Sequence, residues 1–324
     1  MIKDMTTEKN KFTNFLLDNG IIVGLVLLGV ILSFTSPYFL TTRNLINVLR
    51  QVSINGLLSI GMTYVILTGG IDLSVGSLLS FGGIIAASFA SASFGGGSSP
   101  AFVSIFLGLL VGAALGAVNG VFISKWKIPP FVVTLGMLSV ARGFTYIYSD
   151  GMPIPNLSKS FIFIGQGTIF GIPVPVIIFA LVFAIAWIIL YKTRFGRYIY
   201  AVGGNINSAK ISGINTKWII FSVYVISGLL SSLGGLILTA RTTAGLPQAG
   251  NSYELNAIGA VVIGGTSLKG GQGSLVGTLL GVLIIGVINN GLDLLGVSSY
   301  YQQVIKGAII VGAVLINHMK DRSN

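Results

Sequence analysis

The side chains that enzymes use for chemistry are scarce in this chain of 324 residues, and their spacing excludes most catalytic designs. Cysteine is absent, and the one histidine, His318, lies close to the carboxyl end. A His-based triad, a multi-histidine metal site, a disulfide framework and a thiolate nucleophile are therefore excluded. No serine has a G-x-S-x-G setting. The nearest imitation of a phosphate loop, residues 264–273, lacks the Lys-Ser/Thr pair that would reach the phosphates and the metal. No catalytic residue, metal site or cofactor of its own is expected. Four acids lie inside the chain, Asp72, Asp150, Glu254 and Asp293, and all fall at the ends of apolar runs or in loops. A proton-driven carrier places such groups within its spans. Solvation, helix capping or local pairing is the ordinary reading of each. Asp72, two residues before Ser74, suits the start of a helix. Glu254 suits the positive end of another, with Arg241 near enough to pair, and it is also placed to touch a solute at an outer mouth.

The densest chemistry is cationic. Residues 192–217 read KTRFGRYIYAVGGNINSAKISGINTK and hold Lys192, Arg194, Arg197, Lys210 and Lys217 with no acid between them. Two glycine-rich polar stretches complete the inventory. One holds Thr68, Gly69, Gly70, Asp72 and Ser74, and the other Gly264, Gly265, Thr266 and Ser267.

The elements that must position these groups are apolar. Hydrophobic residues make up 53% of the chain and charged residues 8%, with a mean hydropathy of +0.89. A soluble domain carries about 25% charged residues. So much apolar surface points to a multi-span membrane protein, and the 45 glycines suit helices that pack closely in lipid. The net charge of +11 sits in short loops. There it orients the chain and meets anionic lipid in a bilayer, so nucleic acid is not expected as a partner.

Windows of apolar sequence predict an all-α, polytopic membrane protein with about ten transmembrane helices, some broken by glycine. They form one transmembrane domain over residues 1–324. The spans are 20–39, 45–67, 73–93, 101–124, 129–148, 173–191, 218–240, 253–265, 275–292 and 300–317. The eighth reads as broken or tilted, and residues 149–173 as a Pro- and Gly-rich connection. The first reads as a retained span rather than a cleaved signal, because no A-x-A-like site follows it. With the amino terminus inside, thirteen cations fall on inner segments: Lys3, Lys9, Lys11, Lys125, Lys127, Lys192, Arg194, Arg197, Lys210, Lys217, Lys269, Lys320 and Arg322. Three, Arg43, Lys159 and Arg241, fall outside. Arg50, Arg142 and Lys306 lie within spans near an end, where snorkelling is open to them. This asymmetry places both termini in the cytoplasm.

A weak internal repeat is visible. Ile60-Gly61, a GG break and Gly76-Ser77-Leu78 are echoed about 200 residues later by Ile258-Gly259, a GG break and Gly273-Ser274-Leu275. Duplicated halves with glycine-interrupted helices are usual in transporters. Trp126, Trp187, Trp218, Tyr300 and Tyr301 fall near predicted interfaces, as an aromatic belt does, although sugar stacking is a second use for some. Within the basic interval, Asn205 or Asn207 can cap a short helix over Ser208, Ala209, Lys210, Ile211 and Ser212, and Gly213 can end it. Such a helix can seat in a groove on a soluble partner. From pattern alone, a plain solvated loop is as good a reading.

Four stretches carry a family resemblance. They are TGGIDLSVGSL at 68–78; GRYIYAVGGN at 196–205 with SGI at 212–214; YELNAI at 253–258 with GGTSL at 264–268; and NNGLDLLGVSSYYQ at 289–302. Together they resemble bacterial sugar ABC-importer permeases of the ribose, xylose and galactose type, and the last is most like the ribose-transporting members. The resemblance implies a helical bundle with cytoplasmic termini in the bacterial cytoplasmic membrane. It implies a second permease subunit, expected to be identical, a cytoplasmic ABC ATPase that uses the ATP, and an extracytoplasmic sugar-binding protein. It implies that the segment around residues 205–214 is the coupling helix. The loop here reads Asn205-Ile206-Asn207-Ser208-Ala209-Lys210, where relatives more often have a Glu and paired alanines.

The resulting expectation is a permease subunit of a monosaccharide importer, for D-ribose, with the two glycine breaks as pathway or gate. The same kind of permease for an autoinducer, a nucleoside, a branched-chain amino acid or another sugar is the alternative. A stand-alone secondary carrier or channel, motivated by the repeat, is disfavoured by the shortage of intramembrane acids.

Overall fold

A computed structural model describes residues 20–94 and 99–323, with the side chains at 310, 313 and 316–323 outside the description. Lys3, Lys9, Lys11 and the middle of the 94–100 turn lie outside the described residues, as do the side chains of His318, Lys320 and Arg322. The chain runs α1 (Gly20–Thr35), α2 (Thr42–Leu67), α3 (Val75–Ala90), α4 (Ala101–Ser124), α5 (Pro130–Ser149), α6 (Lys159–Gln166), β1 (Thr168–Ile169), β2 (Ile172–Pro173), α7 (Val174–Lys192), α8 (Arg194–Gly204), α9 (Ile206–Ile211), α10 (Thr216–Thr242), α11 (Tyr253–Ile263), α12 (Leu275–Leu294) and α13 (Ser299–Ser323).

Each of the ten apolar windows holds a helix. Among the described residues six of them, α2, α4, α5, α7, α10 and α12, are long and apolar enough to cross a membrane. α1 and α3 have 16 residues each and α11 has 11; the first glycine break precedes α3 and the second follows α11. Two expectations need correction. The connection over 149–173 contains α6 and a two-stranded hairpin, Thr168 paired with Pro173. Phe161 of α6 is fully buried, which is the packing that orders this segment. The basic interval is not mainly loop, because α8 occupies 11 residues of it. Thr193 caps α8 by accepting from Gly196 N at 3.3 Å.

α10 is the axis of the bundle and packs along α2, α3 and α4. The close approach of α4 is written in its sequence. Gly108, Gly112, Gly116 and Gly120 recur every four residues and share one face. A Cβ at Gly112 would collide with Ser232 Oγ and the Gly228 carbonyl, and one at Gly116 with the Tyr224 carbonyl. Without a hydrophobic drive between helices in lipid, such backbone contact is what holds them together. Polar side chains add ties. Asn44 and Asn290 exchange two amide hydrogen bonds, at 2.9 and 2.7 Å, between α2 and α12. Tyr64 Oη donates to the Ala186 carbonyl at 2.6 Å and joins α2 to α7. The outer surface is apolar: Phe34, Phe102, Ile147 and Leu181 are more than 60% exposed. Water would penalise that surface and hydrocarbon does not, so the chain is a multi-pass membrane protein.

Candidate functional site

The two glycine breaks and the basic segment come together at one end of the bundle. α2 ends with Gly69 in the left-handed region (φ +80°), where Gly69 N donates to Ile66 O at 2.8 Å and Gly70 N to Val65 O at 3.1 Å. α11 ends the same way. Gly265 has φ +85°, its N–H donates to Val262 O at 2.9 Å, and Thr266 N donates to Val261 O at 3.1 Å. Both are Schellman-type stops, and they need a residue without a Cβ at the turn. The next helices start on Ser74 and Ser274. The repeat is thus real in backbone geometry, but its register differs from the sequence reading. Ser274 corresponds to Ser74, not to Ser77, because the second break is four residues longer.

α8 joins the two breaks. Gly203 lies against the Leu67 carbonyl and Gly271 N, leaving no room for a side chain. Gly271 N itself donates to Leu67 O at 2.9 Å. Tyr200 Oη donates to the Gly273 carbonyl at 2.8 Å, and Leu275 N donates to Tyr191 Oη at 3.1 Å. One residue beyond α8, Asn205 Oδ1 accepts from Asn207 N and Ser208 N, each at 3.0 Å, and caps α9. Gly213 follows with φ +81°. The capped short helix expected over 208–212 is present as Ile206–Ile211, with Asn205 rather than Asn207 as its cap and Ser212 just past its end. Ala209 is buried, while Ile211 stands 89% exposed.

Two cavities open beside this junction. One, of about 380 Å³, is lined by Thr68, Gly69, Gly70, Lys127, Ile206, Lys210 and Tyr224 among others. The other, of about 410 Å³, is lined by Gly203, Gly204, Ser267, Lys269, Gly270, Gly271 and Gln272.

Of the readings open to Asp72, local pairing holds and solvation does not. The residue is fully buried. Its Oδ1 accepts from Ser74 N at 3.0 Å and Ser74 Oγ at 2.5 Å, and its Oδ2 accepts from Ser227 Oγ of α10 at 2.7 Å. Ser74, not Asp72, occupies the cap position of α3. Asn119 of α4 donates to Ser74 Oγ at 3.0 Å. Ile71 O accepts from Thr134 Oγ1 at 3.3 Å and Tyr224 Oη at 3.4 Å. The first break is therefore pinned from α4, α5 and α10, by neutral donors only. Asn119, Thr134, Ser227 and Tyr224 were not legible as site residues. The signal for Asn119 was a lone carboxamide in an otherwise apolar span.

The second break is held mainly by backbone bonds and by Tyr191 and Tyr200. Thr266 is buried, yet its Oγ1 has no hydrogen-bond partner. Ser267 N donates to Gln272 O at 2.9 Å. Gly264 is buried against the Gly277 carbonyl.

Glu254 is not part of this junction. It opens α11, 11 residues long, at the end away from Gly264. Arg142 is a charged neighbour of Glu254. The backbone carbonyl of Arg241 accepts from Gln166 Nε2 at 3.0 Å. Arg142 does not snorkel. Its Nη1 donates to the carbonyls of Pro247 and Ala249 at 2.7 and 2.8 Å. Trp126, Trp218, Tyr300 and Tyr301 are more than half exposed, while Trp187 is partly covered, with Lys192 Nζ 5.6 Å from its ring centre.

Comparison with known proteins converges on one family. The family model described as branched-chain amino acid transport system / permease component matches residues 44–314. The ribose import permease protein RbsC of Bacillus subtilis (strain 168) is 49% identical over 322 residues, covering 98% of this chain and 98% of that protein. RbsC of Escherichia coli (strain K12) is 46% identical over 325 residues, covering 98% and 100%. The D-allose transport system permease protein AlsC of Escherichia coli (strain K12) is 40% identical over 322 residues, covering 98% and 97%. No solved structure matches the chain. With a family match across five-sixths of its length and relatives near half identity end to end, the chain belongs to the family of branched-chain amino acid transport system / permease components.

Proposed function

We propose that the protein is the membrane-spanning permease subunit of an ABC importer for D-ribose. The observation that carries this reading is the 46–49% identity to ribose import permeases over nearly the whole of both chains. The D-allose permease at 40% makes a second monosaccharide the competing cargo. In this reading ten helical segments traverse the bacterial cytoplasmic membrane, with both termini inside. The whole chain is one transmembrane domain. Two copies form one pathway, a cytoplasmic ABC ATPase hydrolyses ATP, and an extracytoplasmic sugar-binding protein delivers the sugar. The permease has no ATPase site and needs no cofactor of its own.

The physical mechanism follows from the junction. α9 and the preceding α8 form the coupling element. When the ATPases close, a push on α9 is carried by α8 to Gly203, which touches the ends of both breaks at once. The breaks at 68–74 and 264–274 act as gates. Their backbone can shift because each is a turn, not a continuous helix. Vesicles holding permease, ATPase and binding protein should accumulate labelled D-ribose only while ATP is hydrolysed. Accumulation without hydrolysis, or of D-allose in place of D-ribose, would overturn the mechanism or the cargo respectively.

Ile211 is the exposed apolar knob on α9, flanked by Lys210 and Ser212. Burying an isoleucine in a partner's groove contributes roughly 1.5–3 kcal/mol. Ile211→Ser should therefore weaken capture of the ATPase by about tenfold or more. Its level in the membrane should stay normal, because the side chain supports nothing within the chain. Unchanged capture would remove α9 as the docking element.

A further inference from the structure

The connection between α10 and α11, residues 243–252, is not confined to the end of the bundle. Gly245 exchanges two backbone hydrogen bonds with Ile154, each 2.9 Å, and lies against Ala87 near the end of α3. Ser80 Oγ, in the second turn of α3, donates to the Pro247 carbonyl at 2.9 Å. Gly250 lies against Gly76, in the first turn. The connection thus runs back along α3 from residue 87 to residue 76, a descent of roughly 16 Å at 1.5 Å per residue. Arg142, well inside α5, holds the tip by its bonds to Pro247 and Ala249. Glu254 opens α11 at the same depth, its Oε2 close beside Gly76 and within the field of Arg142.

Non-helical backbone at membrane depth is tolerated where protein buries it or where it lines water. Pro247 and Gly250 are buried, but Gln248 and Asn251 at the tip are exposed, and Arg142 and Glu254 are half-buried. Carboxamides turned toward lipid tails would be costly. Turned toward water they are not.

We propose that this re-entrant tip lines the aqueous pathway, and that Arg142, Gln248, Asn251 and Glu254 hydrogen-bond a neutral polyhydroxylated solute as it passes. The chemistry fits hydroxyl groups, which both donate and accept. The amides do both, the carboxylate accepts, and the guanidinium keeps further N–H donors beyond those bound to the loop. The charges of Arg142 and Glu254 offset one another, which suits an uncharged cargo. This rests on the sugar-import reading for the identity of the solute, and extends it by placing solute contacts on the 243–252 connection, where Gly250 and Glu254 meet Gly76 just past the first break.

The absence of cysteine makes a direct test possible. Gln248→Cys, Asn251→Cys and the control Leu110→Cys, half-exposed on α4, are expressed singly in the complete importer in vesicles. A charged, water-soluble thiol reagent reacts with the thiolate and so needs water at the site. Residues 248 and 251 should be modified at least about tenfold faster than residue 110, and saturating D-ribose or D-allose with binding protein should slow that modification. Rates no faster than the control would overturn the pathway. Fast modification that neither sugar slows would overturn the solute contacts. If wild-type vesicles accumulate no D-ribose while 248 and 251 still react, the cargo reading fails and the water-lined tip stands.

Discussion

Asp72→Ala is expected to abolish uptake and to lower the melting temperature of the purified permease. Its carboxyl accepts three hydrogen bonds in a site with no solvent exposure. Removing it leaves Ser227 Oγ and the Ser74 backbone N–H without the partner that satisfies them. Stranding buried donors of a charged-group network costs on the order of 3 kcal/mol or more. The cost falls on the first break, because Asp72 ties Ser74 to α10 and Ser74 in turn holds Asn119 of α4. Asp72→Asn should be milder. Its carbonyl oxygen can keep the bonds from Ser74, and the Ser227 hydroxyl can rotate to accept from the new amide. The checks are thermal unfolding in detergent and ATP-driven uptake. Equal loss in both variants at normal stability would show that the charge itself acts in transport, and would displace the purely structural role argued here.

Gly203→Val should separate ATPase docking from transport. Branched carbons at 203 would press into the Leu67 carbonyl and Gly271 N, which are hydrogen-bonded to each other. Overpacking of this kind costs roughly 1–3 kcal/mol, and here both contacts are backbone, which cannot move aside as a flexible side chain does. Uptake should fall by about tenfold or more, since the junction between α8 and both breaks is forced apart. Capture of the ATPase should persist, because the α9 surface is unchanged. Gly204→Ala is the matched control, since a Cβ there meets nothing within 4 Å. Normal uptake by Gly203→Val would remove α8 as the connection between motor and gates.

Much of this site was readable because glycine and charge announce themselves locally. Gly69 and Gly265 end their helices in the left-handed region, a conformation that favours glycine wherever the rest of the chain lies. Asn205 caps α9 through bonds to residues two and three positions on. Capping of this kind is a local code. Several readings that failed involved distant partners. Asp72 reads as a helix-start residue and Arg142 as a snorkelling one, because sequence spacing does not reveal Ser227, 155 residues away, or the carbonyl of Pro247, 105 residues away. α6 was overlooked because its eight residues are ordered by burying Phe161 against other elements rather than by their own propensity.

By itself the sequence determined the membrane character, the positions of the apolar helices, the two glycine stops and the capped turn at Asn205. Each follows from hydropathy, backbone freedom or short-range hydrogen bonding, which act over a few residues. Only the tertiary structure decided that both stops meet α8 at Gly203, that Asp72 is sealed between α3 and α10, and that Arg142 draws the 243–252 connection down along α3. Those outcomes depend on which buried donors find which acceptors. In a bundle whose outer surface faces lipid, unmet polar groups are costly enough for that pairing to set the final geometry.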